Sequence, residues 1–488
     1  MTETKVDAKR IALIGQELKD TIGAEKVKDD EVVLSTYAFD ISATPFRKPS
    51  FVVFPVQRQD VIEILRIANN YKMPISVIAG GVNVTGLGIP LEGGFILDFR
   101  RMDKVIEINT DSGYAVIEPG VTFDNFTASL AEKGFRCHIP TSPGGSSPLA
   151  NYMLKPSGSL CNRHLDSILD LEIILPDGTV INTGSSHFHA AGGSVRYGPF
   201  PDLAGIFCCS YGTLGVVTKA AVRIYPINES NRVNLAAFDS YESSVNFIKD
   251  ITNHNIPESC IIWNWQFYRA FEISQSTPEI PELSLDPRKP PEGVPYNIVT
   301  TFLSGYEESV VTSEKVCEKV ALKYGGRVLN RKEAEELAPA ALKGWDQLYL
   351  HYRAMAPLTC FGTGLYKAWI VHVEPQVAPD LEKWAVETIY SLGVNPILYY
   401  SMPFDFDRTM FFRIFVFPEA HDQEMQEKIV TTYKTMYEES LKRYGAIPFR
   451  YRPGLPWIHQ TGGYEEALKR IKKVFDPNNI LGPHLGLY

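Results

Sequence analysis

The 488-residue chain has no long hydrophobic run, no surplus of positive charge and no paired-cysteine motif. No stretch approaches the ~18–20 consecutive apolar residues that a membrane span needs. The N-terminal "MTETKVDAKRIALIGQEL" is charged and helical in pattern, unlike a leader peptide, and a cytoplasmic protein is expected. With 48 basic against 57 acidic residues the net charge is −9, which argues against a general binder of nucleic acid or anionic membrane. Such a surface suits solubility or a basic protein partner. Seven cysteines (137, 161, 208, 209, 260, 317, 360) form an odd set without a C-x-x-C pair, so neither a disulfide framework nor a metal or cluster site is indicated. The common nucleotide signatures are missing too, both the spaced G-x-G-x-x-G and the phosphate loop ending in G-K-[ST].

What is present is soluble and globular in composition, and its length predicts two or three domains. "FVVFP" (51–55) reads as a strand, "RQDVIEILRIANNYKM" as an amphipathic helix, and "PISVI" as a strand entering the glycine-rich "AGGVNVTGLG". "GFILDF" and "GYAVIEPGV" follow as strands, then a helix capped by Thr122 and a second small-residue loop, "CHIPTSPGGSSPLAN" (137–151). "LDLEIILPDGTVINTG" (169–184) is a hairpin turning at Asp177-Gly178, and "GIFCCSYGTLGVVTKAAVRIYP" (205–226) is a third small-residue segment running into a strand. Three loops of Gly, Ser and Thr at strand ends suit one long polar ligand threaded between them, because glycine lets main-chain N–H groups approach a phosphate. Beyond Pro226, helical stretches near 240–255, 308–324 and 331–345 alternate with the aromatic strands "IIWNWQFY", "AWIVHVEP" and "FFRIFVFP", and the proline-rich 276–297 lies between them. The chain closes with an amphipathic helix stopped at Asp476-Pro477.

This ordered set, "AGGVNVTGLG", "VIEPGVT", "PTSPGGSSPLAN", "LEIILPDG", "GTLGVVTKAAVRIYP" and "VFDPNNILGP", resembles flavoproteins of the vanillyl-alcohol oxidase and para-cresol methylhydroxylase family. The resemblance implies an α+β fold: a two-part FAD-binding domain (1–226), an α+β cap for substrate (227–448) and a C-terminal segment (449–488) returning to the first domain. It implies that Gly80, Gly81, Val82, Asn83, Val84, Thr85 and Gly86 wrap the FAD pyrophosphate. Pro143, Gly144, Gly145, Ser146 and Asn151 would meet the isoalloxazine and ribityl chain, and Gly212, Thr213, Gly215 and Val217 the adenine half. Glu118-Pro119-Gly120 matches a family turn that is either structural or functional.

In the phenol-oxidising members a phenolate substrate passes hydride to the flavin, which needs cationic or hydrogen-bonding groups at the phenolate oxygen. "YRPGLPWIHQ" (451–460) matches the segment that supplies them, so Tyr451 and Arg452 are the first catalytic candidates. The family's second phenolate-binding Tyr has no counterpart, as Val84, Thr85 and Gly86 stand there. The family's acid/base Asp aligns with Arg163, which stays protonated and cannot act as a base, leaving His164 as the neighbour able to titrate; a three-residue slip would bring in Asp166. Arg163 and Arg452 would suit a carboxylate-bearing substrate, which keeps open a dehydrogenase of 2-hydroxy or other aromatic acids. The His-rich metal motif of the 2-hydroxy-acid flavoproteins is absent, with only His372 and Glu374 in "AWIVHVEP", and no metal is expected. Cap aromatics (Trp263, Trp265, Tyr268, Tyr399, Tyr400, Phe411, Phe412) either line a flat pocket or fill the core, and Tyr366 is near one position of covalent flavin attachment in the family. A third reading is a flavin electron-transfer subunit serving a cytochrome or an electron-transferring flavoprotein. A homo-oligomer, most simply a dimer, is expected.

Overall fold

The computed structural model describes residues 8–40, 44–82, 85–140, 142–154, 167–188, 195–273, 284–338, 367–404, 408–419, 421–450 and 462–486. Three sheets organise them. In the first, the strand order is Val27–Lys28, Val52–Val53, Phe95–Asp98, Ile75–Ile78, and the last three run parallel. Helix Arg58–Tyr71 is the crossover between two of these parallel strands, which a parallel connection needs. Its apolar Val61, Ile64, Leu65 and Ala68 recur at helical spacing and bury against Phe95, Leu97 and Ile14 and Leu18 of helix Ala8–Ile22.

The second sheet is antiparallel, ordered Val105–Asn109, Tyr114–Ile117, Val216–Pro226, Ile168–Ile174, Val180–Asn182, with Phe135–Cys137 on the far end of Val216–Pro226. Its core takes Phe123, Phe126 and Leu130 from helix Phe123–Ala131, which Thr122 caps by accepting from the Asn125 amide at 3.3 Å, as the sequence predicts. The 169–184 hairpin also forms, with Gly178 at φ +86°.

Strands from Ser230 to Pro448 build the third sheet, eight antiparallel strands in the order Arg327–Val328, Ser230–Phe238, Asn297–Gly305, Ser259–Asn264, Leu398–Phe404, Thr409–Val416, Lys367–Val373, Ile447–Pro448. Helices Tyr241–Asn253, Glu307–Lys323, Ala378–Tyr390 and Gln423–Tyr444 cover one face. One expectation is corrected here. "IIWNWQFY" is not a single strand: Ser259–Asn264 is strand and Trp265–Ile273 is helix. The break lies at Asn264, whose Oδ1 accepts from the Phe267 amide at 3.1 Å, the pattern by which Asn starts a helix. A buried ion pair, Arg136 to Glu258 at 2.5 Å, joins the second sheet to the third.

Helix Ala378–Tyr390 carries the buried Glu382, which accepts from the Tyr296 hydroxyl at 2.8 Å. Burial pushes its carboxyl up from 4.5 to about 7. Because the folded state holds this proton more tightly than the unfolded chain, the stability it contributes is complete below about pH 4.5 and is lost as pH rises toward about 7. Glu382→Gln should therefore flatten the melting profile over that window and exceed the parent at pH 8 by on the order of 3 kcal/mol. Parallel pH profiles of the two proteins would disprove the assignment.

Candidate functional site

The strand Ile75–Ile78 delivers the first glycine loop. Gly81 and Gly86 have φ +74° and +79°, where a side chain is strained, and the Gly86 amide donates to Asp40 Oδ2 at 2.8 Å. A Cβ on Gly80 would stand 3.1 Å from the Gly145 carbonyl oxygen and the Ser147 amide nitrogen, so the first loop lies directly on the second. The second loop is nailed down by the Asp124 amide on the Gly144 carbonyl (3.0 Å), the Phe123 amide on the Ser146 carbonyl (3.0 Å) and the Ser146 hydroxyl on the Pro143 carbonyl (2.6 Å). Asn151 works inside the loop, donating to the Ser147 carbonyl at 3.0 Å and accepting from Ser142 at 2.8 Å. Ser147 donates to the Pro119 carbonyl at 2.6 Å, and a Cβ on Gly120 would press 2.2 Å from the Phe99 oxygen, giving the Glu118-Pro119-Gly120 turn a packing role.

The third loop packs on the elements that flank both others. The Cys209 amide donates to the Met153 carbonyl at 2.8 Å, and Gly212, φ +74°, lies against Val77 of the strand feeding the first loop. Lys472 of helix Gly463–Phe475 anchors Thr213: its buried Nζ donates to the Thr213 carbonyl (2.7 Å), the Leu481 carbonyl (2.9 Å) and Asp476 (2.6 Å). Asp476 in turn accepts from the Ile480 and Leu481 amides, and Ile480 receives the Ile75 amide at 2.7 Å. Gly215 and Val217 belong to packing: a Cβ on Gly215 would meet Ile173 at 2.5 Å, and Val217 pairs with Ile173 in the sheet. The three loops thus form a ring whose bare backbone is open at Gly145, where among the described residues no atom stands within 4 Å of a would-be Cβ, and nearly so at Gly81.

The second face of the eight-stranded sheet, set by strand alternation, is buried too, with Trp265, Phe267 and Tyr268 of helix Trp265–Ile273 in the same core. It carries Trp263, Tyr400, Met402, Phe411 and Phe415, with Phe267 and Phe449 beside them. Tyr399 and Phe412 point to the helical side. Trp265 and Tyr268 are core residues, donating to the Pro287 and Pro295 carbonyls at 2.7 and 2.8 Å. In register, Trp263, Tyr400, Arg413 and Ile370 form one row across four strands, and Met402, Phe411 and His372 the next. His372 packs its ring 4.3 Å from Phe404 and 5.0 Å from Phe449. Glu374 bonds its neighbour Gln376.

Residues 49–184 match the family model described as an FAD binding domain. The whole fold superposes on p-cresol methylhydroxylase with a TM-score of 0.86 at 20% identity, covering 99% of this chain and 98% of the other. This is an FAD-binding protein of the p-cresol methylhydroxylase fold. The 4-ethylphenol oxidase of Gulosibacter chungangensis has the same fold, with a TM-score of 0.84 and 21% identity over 100% of this chain and 99% of its own. By sequence the chain is 28% identical over 243 residues to a probable mitochondrial D-lactate dehydrogenase of Danio rerio, covering 49% of this chain and 48% of that protein. The alignments to the first curated relatives span about half of their length.

The glycine ring fits FAD. A cofactor that runs along main chain needs glycines where a Cβ would crowd a neighbouring backbone, as at Gly80 with 3.1 Å to Gly145 and Ser147, and open space beside the next ones, as at Gly145. The four catalytic candidates, Tyr451, Arg452, Arg163 and His164, lie outside the described residues, as do Asn83, Val84 and Tyr366. Sequence reading missed Arg450. It follows Phe449, whose amide pairs with Ile370 at 3.2 Å, and its guanidinium lies 5.2 Å over the Phe449 ring, within electrostatic reach of Tyr211, Cys209, Arg413 and Tyr400. Burial and the nearby Arg413 lower its pKa, and its Nε is buried with no hydrogen-bond partner. Cys209 and Tyr211 also have φ +58° and +56°, uncommon for residues with side chains.

Proposed function

We propose that this protein is a flavin-dependent oxidoreductase that takes hydride from a small aromatic substrate, a para-alkylphenol or aromatic alcohol. The supporting observation is the face bearing Trp263, Tyr400, Phe411 and Phe415, because flat apolar rings orient a substrate ring and exclude water from it. FAD, when bound, supplies the hydride acceptor. Tyr451 and Arg452 would hold the substrate oxygen in the ionised form from which hydride leaves. In this reading 1–226 holds FAD, 227–448 covers the substrate, 449–488 returns to the first part, and Arg163 and His164 stand near the flavin. The likeness to p-cresol methylhydroxylase and 4-ethylphenol oxidase supports it.

A second reading, a dehydrogenase of a carboxylate-bearing hydroxy acid, is favoured by Arg413 and Arg450 beside that face and by the D-lactate dehydrogenase relative. The proposal places the protein in the cytoplasm as a homo-oligomer, with oxygen or an electron-acceptor protein reoxidising the flavin; among the described residues no helix is long and apolar enough to cross a membrane. The test is anaerobic mixing of the yellow protein with para-alkylphenols, aromatic alcohols and 2-hydroxy acids. Bleaching by an aromatic compound is expected, and bleaching only by aliphatic hydroxy acids would replace the first reading by the second. Arg452→Met should slow that bleaching by two or more orders of magnitude, equivalent to about 3 kcal/mol of lost charge stabilisation. An unchanged rate would remove Arg452 from catalysis.

A further inference from the structure

We propose that Asp40 positions the first glycine loop for FAD by taking the Gly86 amide, so that Gly86 is the anchored foot of the loop and the cofactor's pyrophosphate rests on its exposed half, at Gly81 and Val82. The inference rests on FAD binding alone, whichever substrate is oxidised.

The two halves of the loop have different surroundings. Gly81 and Val82 are exposed, whereas Gly86, Gly88, Ile89 and Pro90 are buried. The second loop sets the Gly80 end, where a Cβ would stand 3.1 Å from Gly145 and Ser147. The far end is held from two directions. The segment that follows helix Glu31–Thr36 brings Asp40 Oδ2 to 2.8 Å from the Gly86 amide and lays the Thr44 side chain in the place a Gly86 Cβ would take. From the C-terminal side, His484 Nε2 lies 3.3 Å from the Leu87 carbonyl. Burial lowers the His484 pKa below its usual 6.5, so at pH 7 a neutral ring donates to that carbonyl.

The clasp is itself tied to the sheet that feeds the loop. The Ala38 carbonyl accepts from the Arg47 amide at 2.9 Å, which closes the segment on itself, and the Tyr37 hydroxyl donates to Asp98 Oδ2 at 2.7 Å. Asp98 pairs in parallel register with Ile78, the last strand residue before the loop. Asp40 is therefore fixed relative to the strand end before any cofactor arrives.

Charge decides which half takes the ligand. A main-chain amide serves a carboxylate or a phosphate, and two anions on one short stretch of backbone repel each other. With Asp40 on the Gly86 amide, a pyrophosphate is directed to the exposed half. The buried Gly86 N–H needs an acceptor where water is scarce, and a charged one makes the stronger bond. Glycine also has more conformations to lose than any other residue, so pinning Gly86 in its left-handed state spares the cofactor part of the cost of ordering the loop.

The test compares Asp40→Ala, which removes the acceptor, with Asp40→Asn, which keeps a side-chain oxygen for the Gly86 amide and loses the charge. FAD is the probe. Flavin per chain is measured after purification, the release of fluorescent flavin is followed on dilution of the loaded protein, and a urea midpoint is taken for each variant. Asp40→Ala should hold FAD about tenfold or more weakly, and Asp40→Asn within about threefold of the parent, with release changing far more than the midpoint. Release reports only on folded, loaded chains, and Asp40→Ser replaces the alanine variant if that one folds poorly; where release from the parent is too slow to follow, flavin per chain decides. Parent-like retention in Asp40→Ala overturns the inference. Tighter binding in Asp40→Ala also overturns it, because the Gly86 amide then belongs to the pyrophosphate and the carboxylate competes for it. Equal losses in both variants overturn it in favour of the charge rather than the acceptor, and a flavin loss that merely tracks the urea midpoint reduces Asp40 to a structural residue. Bleaching of the loaded parent by aromatic compounds, or its absence, bears on the substrate reading and leaves this result untouched.

Discussion

Replacing Lys472 with methionine should cost about 3–5 kcal/mol of stability and most of the bound FAD, read by urea unfolding and by the flavin absorbance of purified protein. The size follows from burial. Its ammonium satisfies the carbonyls of Thr213 and Leu481 and the carboxylate of Asp476, all inside the protein. Removing it leaves an uncompensated carboxylate and two carbonyls that water cannot easily reach. The cofactor loss follows from position, because Thr213 belongs to the third loop of the ring and Leu481 to the segment beside the strand feeding the first. A double variant, Lys472→Met with Asp476→Asn, should recover part of the stability, since no buried charge then remains. A loss below about 1 kcal/mol in the single variant, the scale of an exposed pair, would show that the lysine behaves as a surface residue.

Gly145→Val is expected to give folded protein without colour. Among the described residues no atom lies within 4 Å of a Cβ at this position, and the residue is not in a left-handed conformation, so the folded chain should accommodate the side chain at little cost. The space the valine enters is the one assigned to FAD. A melt of the cofactor-free parent and the variant should coincide within about 0.5 kcal/mol, while FAD affinity falls at least a hundredfold. Gly80→Ala is the contrasting case, because its Cβ would wedge between the Gly145 carbonyl and the Ser147 amide, and should lower both stability and affinity. A fully yellow Gly145→Val protein would mean that the cofactor does not pass the second loop there.

Much of this was legible in the sequence, for physical reasons that differ by region. Strand–helix–strand periodicity located helix Arg58–Tyr71 and strand Ile75–Ile78, and the small-residue composition located all three loops. Composition could not say which glycines serve the ligand and which serve packing. Gly80 and Gly215 read alike, yet one separates two loops and the other makes room for Ile173. "IIWNWQFY" misled because aromatic residues suit either element, and only the partner of Asn264 reveals that the strand ends there. Arg450 was hidden beside Tyr451 and Arg452, since its significance depends on Arg413, 37 positions earlier in the chain and reached through strand register rather than sequence. Lys472 looked like one of several lysines on an amphipathic helix; nothing local marks it as buried.

The pairing of Ile75 with the stretch Ile480–Leu481 bears on synthesis as well as on structure. The strand that feeds the first loop is made about 400 residues before its edge partner. Until residue 481 has left the ribosome, that strand has an open edge and Thr213 lacks its lysine. The nascent chain can assemble the all-antiparallel cap, whose strands lie between Ser230 and Pro448, before the first sheet is complete. FAD capture then waits for residues 472–481 to emerge, and chains arrested before residue 472 should have a compact cap and no colour.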